Sequence, residues 1–288
     1  GNIFMGMTES PVLIKNYLPT MNRSEIFLVM VSGMGTIAGS VMGTYIGMLG
    51  GTDPAAKVLF ATHLLSASVM AVPGSIVLAK MLCPQTEEAT DHVAISGKEK
   101  ENSNILDAIS SGTVTGVKLM TNIAAMLLVF ISLVALANYI TEGVIGRYTG
   151  LNDWIVKITD GKAQGLTFQF ILGVITSPFM WLIGVPSQDI MLVGSLLGQK
   201  TILNEFVAYF QLQQWKDAGL FMYEKSILMS TYILCGFANI SSIGILLGGL
   251  GVLAPEKRGL ISRIGLPAMI GGALVSVLSA TIIGMILG

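Results

Sequence analysis

Short polar interruptions in an otherwise lipid-soluble chain set the strongest constraint on what this sequence can fold into. They fall at Gly6-Met7-Thr8-Glu9, at Asn204-Glu205-Phe206 and at Ala238-Asn239-Ile240-Ser241-Ser242. A carboxylate at the centre of a spanning helix costs about 2.5–3.5 kcal/mol on insertion scales, so membrane chains keep such groups against a partner, a ligand or a water-filled cavity. The pattern therefore predicts a polar site buried between transmembrane segments.

Composition agrees with that environment. Hydrophobic residues make up 52% of the chain and charged ones only 11%, against roughly 25% charged in soluble domains, and the mean hydropathy is +0.74. The 34 glycines and 17 methionines suit close helix approach and adaptable packing in a bundle. A net charge of -1 gives no pull toward nucleic acid or a strongly acidic partner. Cys83 and Cys235 lie far apart without metal-ligand spacing and read as structural thiols. The chain opens on Gly1-Asn2-Ile3-Phe4, close to a polar interruption and without an initiator methionine, which predicts that the natural protein begins further upstream.

Residues 26–50 are apolar and long enough to span a bilayer, yet Gly33, Gly35, Thr36, Gly39 and Ser40 make a poor continuous helix. Asp53 and Pro54 read as the N-cap and first position of a second span that runs to about Leu82, bends at Pro73-Gly74 and stops at Pro84. Residues 84–104 hold the strongly polar stretch and read as a solvated loop. An interfacial helix follows, with Ile105, Leu106, Ile109 and Val117 beside Asp107, Ser110 and Ser111, and then a clean span over 119–140.

Residues 166–183 and the segment ending at Gly198-Gln199-Lys200 are each too short or too interrupted to span comfortably. With Gly184-Val185-Pro186-Ser187 as the turn between them, they predict a re-entrant hairpin, which requires protein or a cavity around its backbone. The last spans cover about 227–250 and 265–287, with Lys257, Arg258 and Arg263 in a loop that leans cytoplasmic. A weak repeat runs through this order. A segment with one carboxylate (Glu9, then Glu205) leads each time to a span broken by glycine and small polar residues (Thr36, then Asn239). Interrupted segments at matching positions of two halves point to the binding site of a secondary transporter.

The candidate site residues leave alternatives open. Ionised Glu9 and Glu205 only accept hydrogen bonds; they could hold sugar hydroxyls or ring N–H groups, carry protons, or sit in structural pairs. Glu9 also reads as a helix-terminal carboxylate, and Glu205 as an ion-pair partner of Lys200. Asn239, Ser241 and Ser242 supply donors and acceptors beside Gly236 and Gly244, or serve only as interhelical links. Taken together the set suits a neutral, hydroxyl-rich ligand with a flat apolar part that Phe237 and Val41 could touch. His63 reads as a packed, hydrogen-bonded histidine and Asp189 as a helix N-terminal residue. No Ser/His/Asp grouping or His/Cys metal cluster is present in the sequence, so catalysis has little support.

The motifs Gly6-Met7-Thr8-Glu9-Ser10-Pro11, Gly35-Thr36-Ile37-Ala38-Gly39-Ser40-Val41, Gly184-Val185-Pro186, Asn204-Glu205-Phe206-Val207-Ala208-Tyr209 and Cys235-Gly236-Phe237-Ala238-Asn239-Ile240-Ser241-Ser242-Ile243 resemble those of the concentrative nucleoside transporters, in the expected order over essentially the whole chain. The resemblance corresponds to the C-terminal two-thirds or so of that family. It implies an all-α polytopic membrane transporter with re-entrant hairpins and unwound helices, a homotrimer in the plasma or inner membrane. Residues 1–101 and 151–288 would form parts of a mobile transport domain, and 102–150 an interfacial helix and scaffold span.

By the same resemblance, Met7, Thr8 and Glu9 face the nucleobase with Val41 nearby, Glu205, Asn239 and Ser242 hold the ribose hydroxyls, and Phe237 lies close to the substrate. Main-chain oxygens of Asn2, Met5 and Ile37 with the Thr36 hydroxyl would bind a sodium ion, the coupling ion, and no other cofactor is implied. The family's usual glutamine at position 7 is replaced by Met7, which removes base-edge hydrogen bonds and bears on base preference. The resulting expectation is nucleoside import by sodium symport through alternating access. Proton symport is the runner-up, and an intramembrane enzyme or a gating domain on a nucleoside-recognition fold are the readings from other classes.

Overall fold

The computed structural model describes residues 1–87, 104–107, 109–110, 113–114, 117, 128, 132–133, 135–159, 161 and 163–288. The chain divides into two compact units, one built from residues 1–93 and 169–288 and the other from 94–168. Every regular element among the described residues is helical.

The larger unit opens with turns and a short 3-10 helix, Ser10–Ile14, and then enters α1 (Arg23–Gly35). A capping box starts α1: the Glu25 N–H donates to Asn22 Oδ1 at 3.0 Å, and the Asn22 N–H donates to Glu25 Oε2 at 2.8 Å. The helix stops at Gly35. Thr36 is extended (φ -125°, ψ 167°), Ala38 likewise (φ -69°, ψ 144°), and α2 resumes over Gly39–Gly50. The expected break in the first span is thus a true unwinding. Asp53 caps α3 (Pro54–Leu82) by accepting from the Ala55 and Ala56 N–H groups at 2.9 and 3.3 Å. At about 1.5 Å per residue α3 is long enough to cross a bilayer, and it carries Pro73 without a break.

The hairpin predicted over 166–200 is present as α5 (Phe168–Leu182) and α6 (Ile190–Ile202). Gly184 turns between them at φ +83°, a left-handed conformation that favours glycine. Next come α7 (Glu205–Asp217), capped by Asn204 through the Val207 N–H at 2.9 Å, and α8 (Glu224–Leu234). The span expected over 227–250 is broken at 235–239 and resumes as α9 (Ile240–Leu253). The final helix, α10, covers Arg258–Ile286. It begins directly after a 3-10 turn, Pro255–Lys257, so Arg258 and Arg263 belong to the helix rather than to a loop.

By length and composition 3 stretches can cross a membrane: Arg23–Gly50, Pro54–Leu82 and Pro255–Ile286. Val58, Leu65, Val69, Ile76 and Met81 on α3 are exposed, as a lipid-facing stripe requires. This is a multi-pass membrane fold. Two buried clusters form its core. One joins Tyr45, Leu64, Val193, Leu196, Tyr209 and Ile233; the other joins Phe27, Met30, Met34, Leu246, Leu250 and Val275, and Phe237 packs against both.

In the smaller unit, Tyr139–Gly146 is π-helical and continues through Arg147–Thr149. Gly150 (φ +71°) then turns the chain into α4 (Leu151–Ile158). Asn152 ties the unit together, donating to the Glu142 carbonyl and accepting from the Leu166 N–H, both at 3.0 Å. Most of the polar loop, the interfacial helix and the span expected over 84–140 lies outside the described residues.

Candidate functional site

The two helix breaks meet. The Phe237 N–H donates to the Thr36 carbonyl at 3.2 Å, a backbone bond between segments that are far apart in sequence. The approach depends on Gly236: a Cβ there would lie 2.9 Å from both the Met34 carbonyl oxygen and Ser276 Oγ. Breaking a helix exposes backbone groups that need partners in a medium without water. Here each break supplies part of what the other lacks.

Beside this crossing, polar side chains converge on Glu205. Asn239 Nδ2 donates to Glu205 Oε2 at 3.1 Å, and the Tyr45 hydroxyl donates to Oε1 at 3.3 Å. Asn239 Oδ1 accepts from both the Ser242 N–H (2.9 Å) and the Ser242 hydroxyl (3.0 Å), so Asn239 caps α9 while holding the carboxylate. Glu205 (7% exposed), Asn239 (4%) and Ser242 (1%) are all buried. Glu205 is the first residue of α7 and Asn239 precedes the first of α9, so the positive ends of two helices lie at a carboxylate.

The hydrogen-bonding capacity left over is specific. Side chains supply one donor to each Glu205 oxygen and a backbone N–H adds a third, so the carboxylate retains accepting capacity, and Asn239 Nδ2 has a second N–H. The cluster can accept from and donate to a neighbouring pair of hydroxyls. Val41, Phe206 and Phe237 are partly buried and pack against the same core, which supplies apolar surface for a ligand's flat part.

The first hairpin segment stands differently. Met7 is buried in the second core cluster, and Thr8 lies against Gly249, where a Cβ would meet its Cγ2 at 3.1 Å. Glu9 is exposed at the head of the short 3-10 helix and makes no side-chain capping bond. Among the described residues no hydrogen bond joins Glu9 to Glu205 or Asn239.

The two segments expected to hold a cation pack together. Asn2 Nδ2 donates to Ser32 Oγ at 2.6 Å, the Ser10 hydroxyl donates to Asn2 Oδ1, and the Gly39 N–H donates to the Phe4 carbonyl at 3.0 Å. Segment 1–5 therefore lies on the break of the first span. Thr36 (2% exposed) and Ile37 (0%) are buried there, and the Thr36 hydroxyl donates to the Ser32 carbonyl at 3.2 Å, leaving its lone pairs free. Among the described residues, no backbone hydrogen bond ends on the carbonyl oxygens of Asn2, Met5 or Ile37. Hard, uncharged oxygens of this kind fit an alkali cation. Among the described residues no group of His, Cys, Asp and Glu could hold a transition metal.

Tyr45 escaped the sequence reading, Lys200 and Asp189 have partners other than those it suggested, and His63 is bonded as it expected. Tyr45 sits one helical turn beyond Val41, on α2, and stacks on Tyr209 with ring centroids 4.1 Å apart; that spacing was the available signal. Lys200 does not pair with Glu205. It is fully buried and donates to the Ile233 carbonyl at 2.8 Å and Ser276 Oγ at 2.9 Å. Asp189 is at the start of α6 but makes no capping bond there. Its carboxylate accepts from the Met222 and Tyr223 N–H groups at 3.0 and 3.1 Å, tying the hairpin turn to the loop before α8. His63 is hydrogen-bonded, its Nδ1 lying 3.1 Å from the Tyr232 hydroxyl.

A profile of the family described as "Na+ dependent nucleoside transporter C-terminus" matches residues 63–284. The chain belongs to the concentrative nucleoside transporter family. It is 39% identical over its full length to an uncharacterized transporter of Haemophilus influenzae, covering 64% of that protein. It is also 39% identical to sodium/nucleoside cotransporter 1 of Rattus norvegicus, with 99% of this chain and 43% of that protein aligned. Its fold matches the concentrative nucleoside transporter CNTnw, solved in an inward-facing substrate-bound state, with a TM-score of 0.83 at 37% identity over 99% of this chain and 62% of that one. CNTnw variants in outward-facing and intermediate states match as well. The chain thus spans less than two-thirds of the length of these relatives, and the fold it shares with them is that of a transporter.

Proposed function

We propose that this chain forms the substrate- and cation-binding part of a secondary active transporter that imports nucleosides with sodium by alternating access in the plasma or inner membrane. The buried Glu205–Asn239–Ser242 cluster at the meeting of two helix breaks carries the reading. In it, Glu205, Asn239 and Ser242 hold the ribose hydroxyls, and Val41 and Phe237 flank the ligand. Met7, Thr8 and Glu9 face the base. The exposed Glu9 carboxylate remains free to accept from a ring N–H. Met7 in place of an amide shifts discrimination between bases onto Glu9 and Thr8.

A sodium ion sits among the carbonyl oxygens of Asn2, Met5 and Ile37 and the Thr36 hydroxyl. When bound it would order segment 1–5 against the break, and its gradient across the membrane would drive uptake. Residues 1–101 and 151–288 belong to the moving body and 102–150 to the scaffold of a homotrimer. Uptake of radiolabelled uridine and adenosine by the full-length protein in liposomes tests this. A sodium gradient at fixed pH is expected to drive accumulation, and Glu205→Gln to weaken it at least about tenfold, since one charge-assisted hydrogen bond is worth about 1.5–3 kcal/mol. Uptake that follows a proton gradient alone, or that ignores Glu205→Gln, overturns the proposal.

A further inference from the structure

Lys200 occupies an unusual place for a charged side chain. It is 0% exposed, in the last turn of the second hairpin arm, and among the described residues it forms no ion pair. Its ammonium is held by neutral oxygens: the Ile233 carbonyl at 2.8 Å and Ser276 Oγ at 2.9 Å, with that hydroxyl also 3.4 Å from the Cys235 carbonyl. Ile233 and Cys235 lie at the C-terminal end of α8, where the helix unwinds and its last carbonyls lose their intrahelical partners. A positive charge is stabilised at that end by the helix dipole. An uncharged cage of carbonyl and hydroxyl oxygens around a cation is the environment an alkali ion takes.

The first break offers the same arrangement without a built-in charge. At the end of α1, just before the break that holds Thr36 and Ile37, the neutral Asn2 side chain from the first hairpin segment bonds Ser32 Oγ at 2.6 Å, and the Thr36 hydroxyl donates to the Ser32 carbonyl at 3.2 Å. At the end of α8 the approach is made from the second hairpin by Lys200. Each hairpin therefore delivers one side chain to the C-terminal end of one half-helix, and only the second brings its own cation.

We propose that the Lys200 ammonium is a tethered cation filling the oxygen cage at the second helix break, so that the carrier binds one mobile cation per nucleoside, at the first break. This rests on the sodium-coupled reading above and deepens it. Lys200 is a positioning residue. It holds the α6–α7 junction, and with it Glu205 at the start of α7, to the unwound end of α8, so the second break stays closed through the cycle without ion exchange.

The test uses the full-length protein in liposomes. In the wild type, the charge moved per uridine, from transport current and tracer flux together, is expected to equal one, with uptake first-order in sodium. Lys200→Ala removes the propylammonium portion of the side chain. Its uptake at low sodium is expected to fall at least about tenfold, as loss of a charge-assisted pair implies, to recover on adding n-propylammonium, and otherwise to become second-order in sodium. A purely structural lysine would change neither the reaction order nor the response to n-propylammonium. Two or more charges per uridine in the wild type overturns the inference while leaving sodium coupling intact, and needs no variant to fold. So does a Lys200→Met variant that transports with wild-type sodium dependence. Absence of any sodium dependence in the wild type sinks the underlying reading instead.

Discussion

Replacing Asn239 separates its two structural duties and measures each. As the cap of α9 it satisfies the Ser242 N–H at 2.9 Å, and losing such a cap to alanine costs about 0.5–2 kcal/mol. As a donor it reaches Glu205 Oε2 at 3.1 Å in a buried setting, and a hydrogen bond to a charged group contributes about 1.5–3 kcal/mol. Asn239→Ala removes both, for roughly 2–5 kcal/mol together. Asn239→Ser keeps the cap and loses only the carboxylate contact. Asn239→Asp is the decisive variant. Aspartate caps helices as well as asparagine does, yet here it would set a second carboxylate against Glu205, where like charges repel. The expected order of stability is wild type, then Asn239→Ser, then Asn239→Ala and Asn239→Asp below both natural caps. Thermal melting of the detergent-solubilised full-length protein gives the order without assuming two-state unfolding. Uridine affinity is expected to fall in parallel, about tenfold or more for Asn239→Asp. If Asn239→Asp melts and binds like the wild type, Asn239 is a cap and nothing more, and the convergent site is wrong.

Tyr45→Phe removes the hydroxyl that donates to Glu205 Oε1 at 3.3 Å while keeping the ring stacked on Tyr209. The melting temperature is expected to fall as for the loss of one hydrogen bond to a buried carboxylate, about 1.5–3 kcal/mol, and uridine affinity to drop about tenfold; an unchanged dissociation constant in calorimetry refutes a positioning role. Gly236→Ala forces a Cβ to within 2.9 Å of the Met34 carbonyl and Ser276 Oγ, an overpacking expected to cost about 1–3 kcal/mol. Gly244→Ala, where a Cβ meets nothing within 4 Å, is the control, and equal melting temperatures for the two variants refute the close crossing of the breaks.

Much of the architecture was legible because it follows from local chemistry. Asp53-Pro54 starts α3 as a cap and first position should, Gly184 turns the second hairpin, and Gly35 to Gly39 bracket an unwound stretch in an apolar run. The second break was announced by Asn239, Ser241 and Ser242 in the same way. What could not be read are the pairings that depend on how helices lie together. Lys200 and Glu205 are close in sequence, but Leu203 (φ -94°, ψ -92°) turns the chain between α6 and α7, so the ammonium points to α8 and the carboxylate to Asn239 and Tyr45. Asp189 looked like a cap because its position is right, yet its carboxylate is drawn to two N–H groups of a loop that the sequence does not place nearby. Arg258 and Arg263 suggested a loop by charge alone, while α10 simply begins earlier and carries them.

The crossing of the two breaks explains why a nucleoside site and a cation site would work as one device. A continuous path of hydrogen bonds runs from Glu205 to the Asn239 side chain, from the Asn239 N–H to the Phe237 carbonyl at 3.0 Å, and from the Phe237 N–H to the Thr36 carbonyl at 3.2 Å. Thr36 and Ile37 belong to the proposed cation site, and Glu205 and Asn239 to the proposed sugar site. Ordering either end restrains backbone that the other end must also restrain, so occupancy of one lowers the entropic cost of filling the other. That coupling is reciprocal by thermodynamic necessity: whatever factor the cation adds to nucleoside affinity, the nucleoside adds to cation affinity. A continuous helix would carry no such path, because its backbone groups are already paired. The glycines and small polar residues that weaken these spans are therefore what allows binding at one break to be felt at the other.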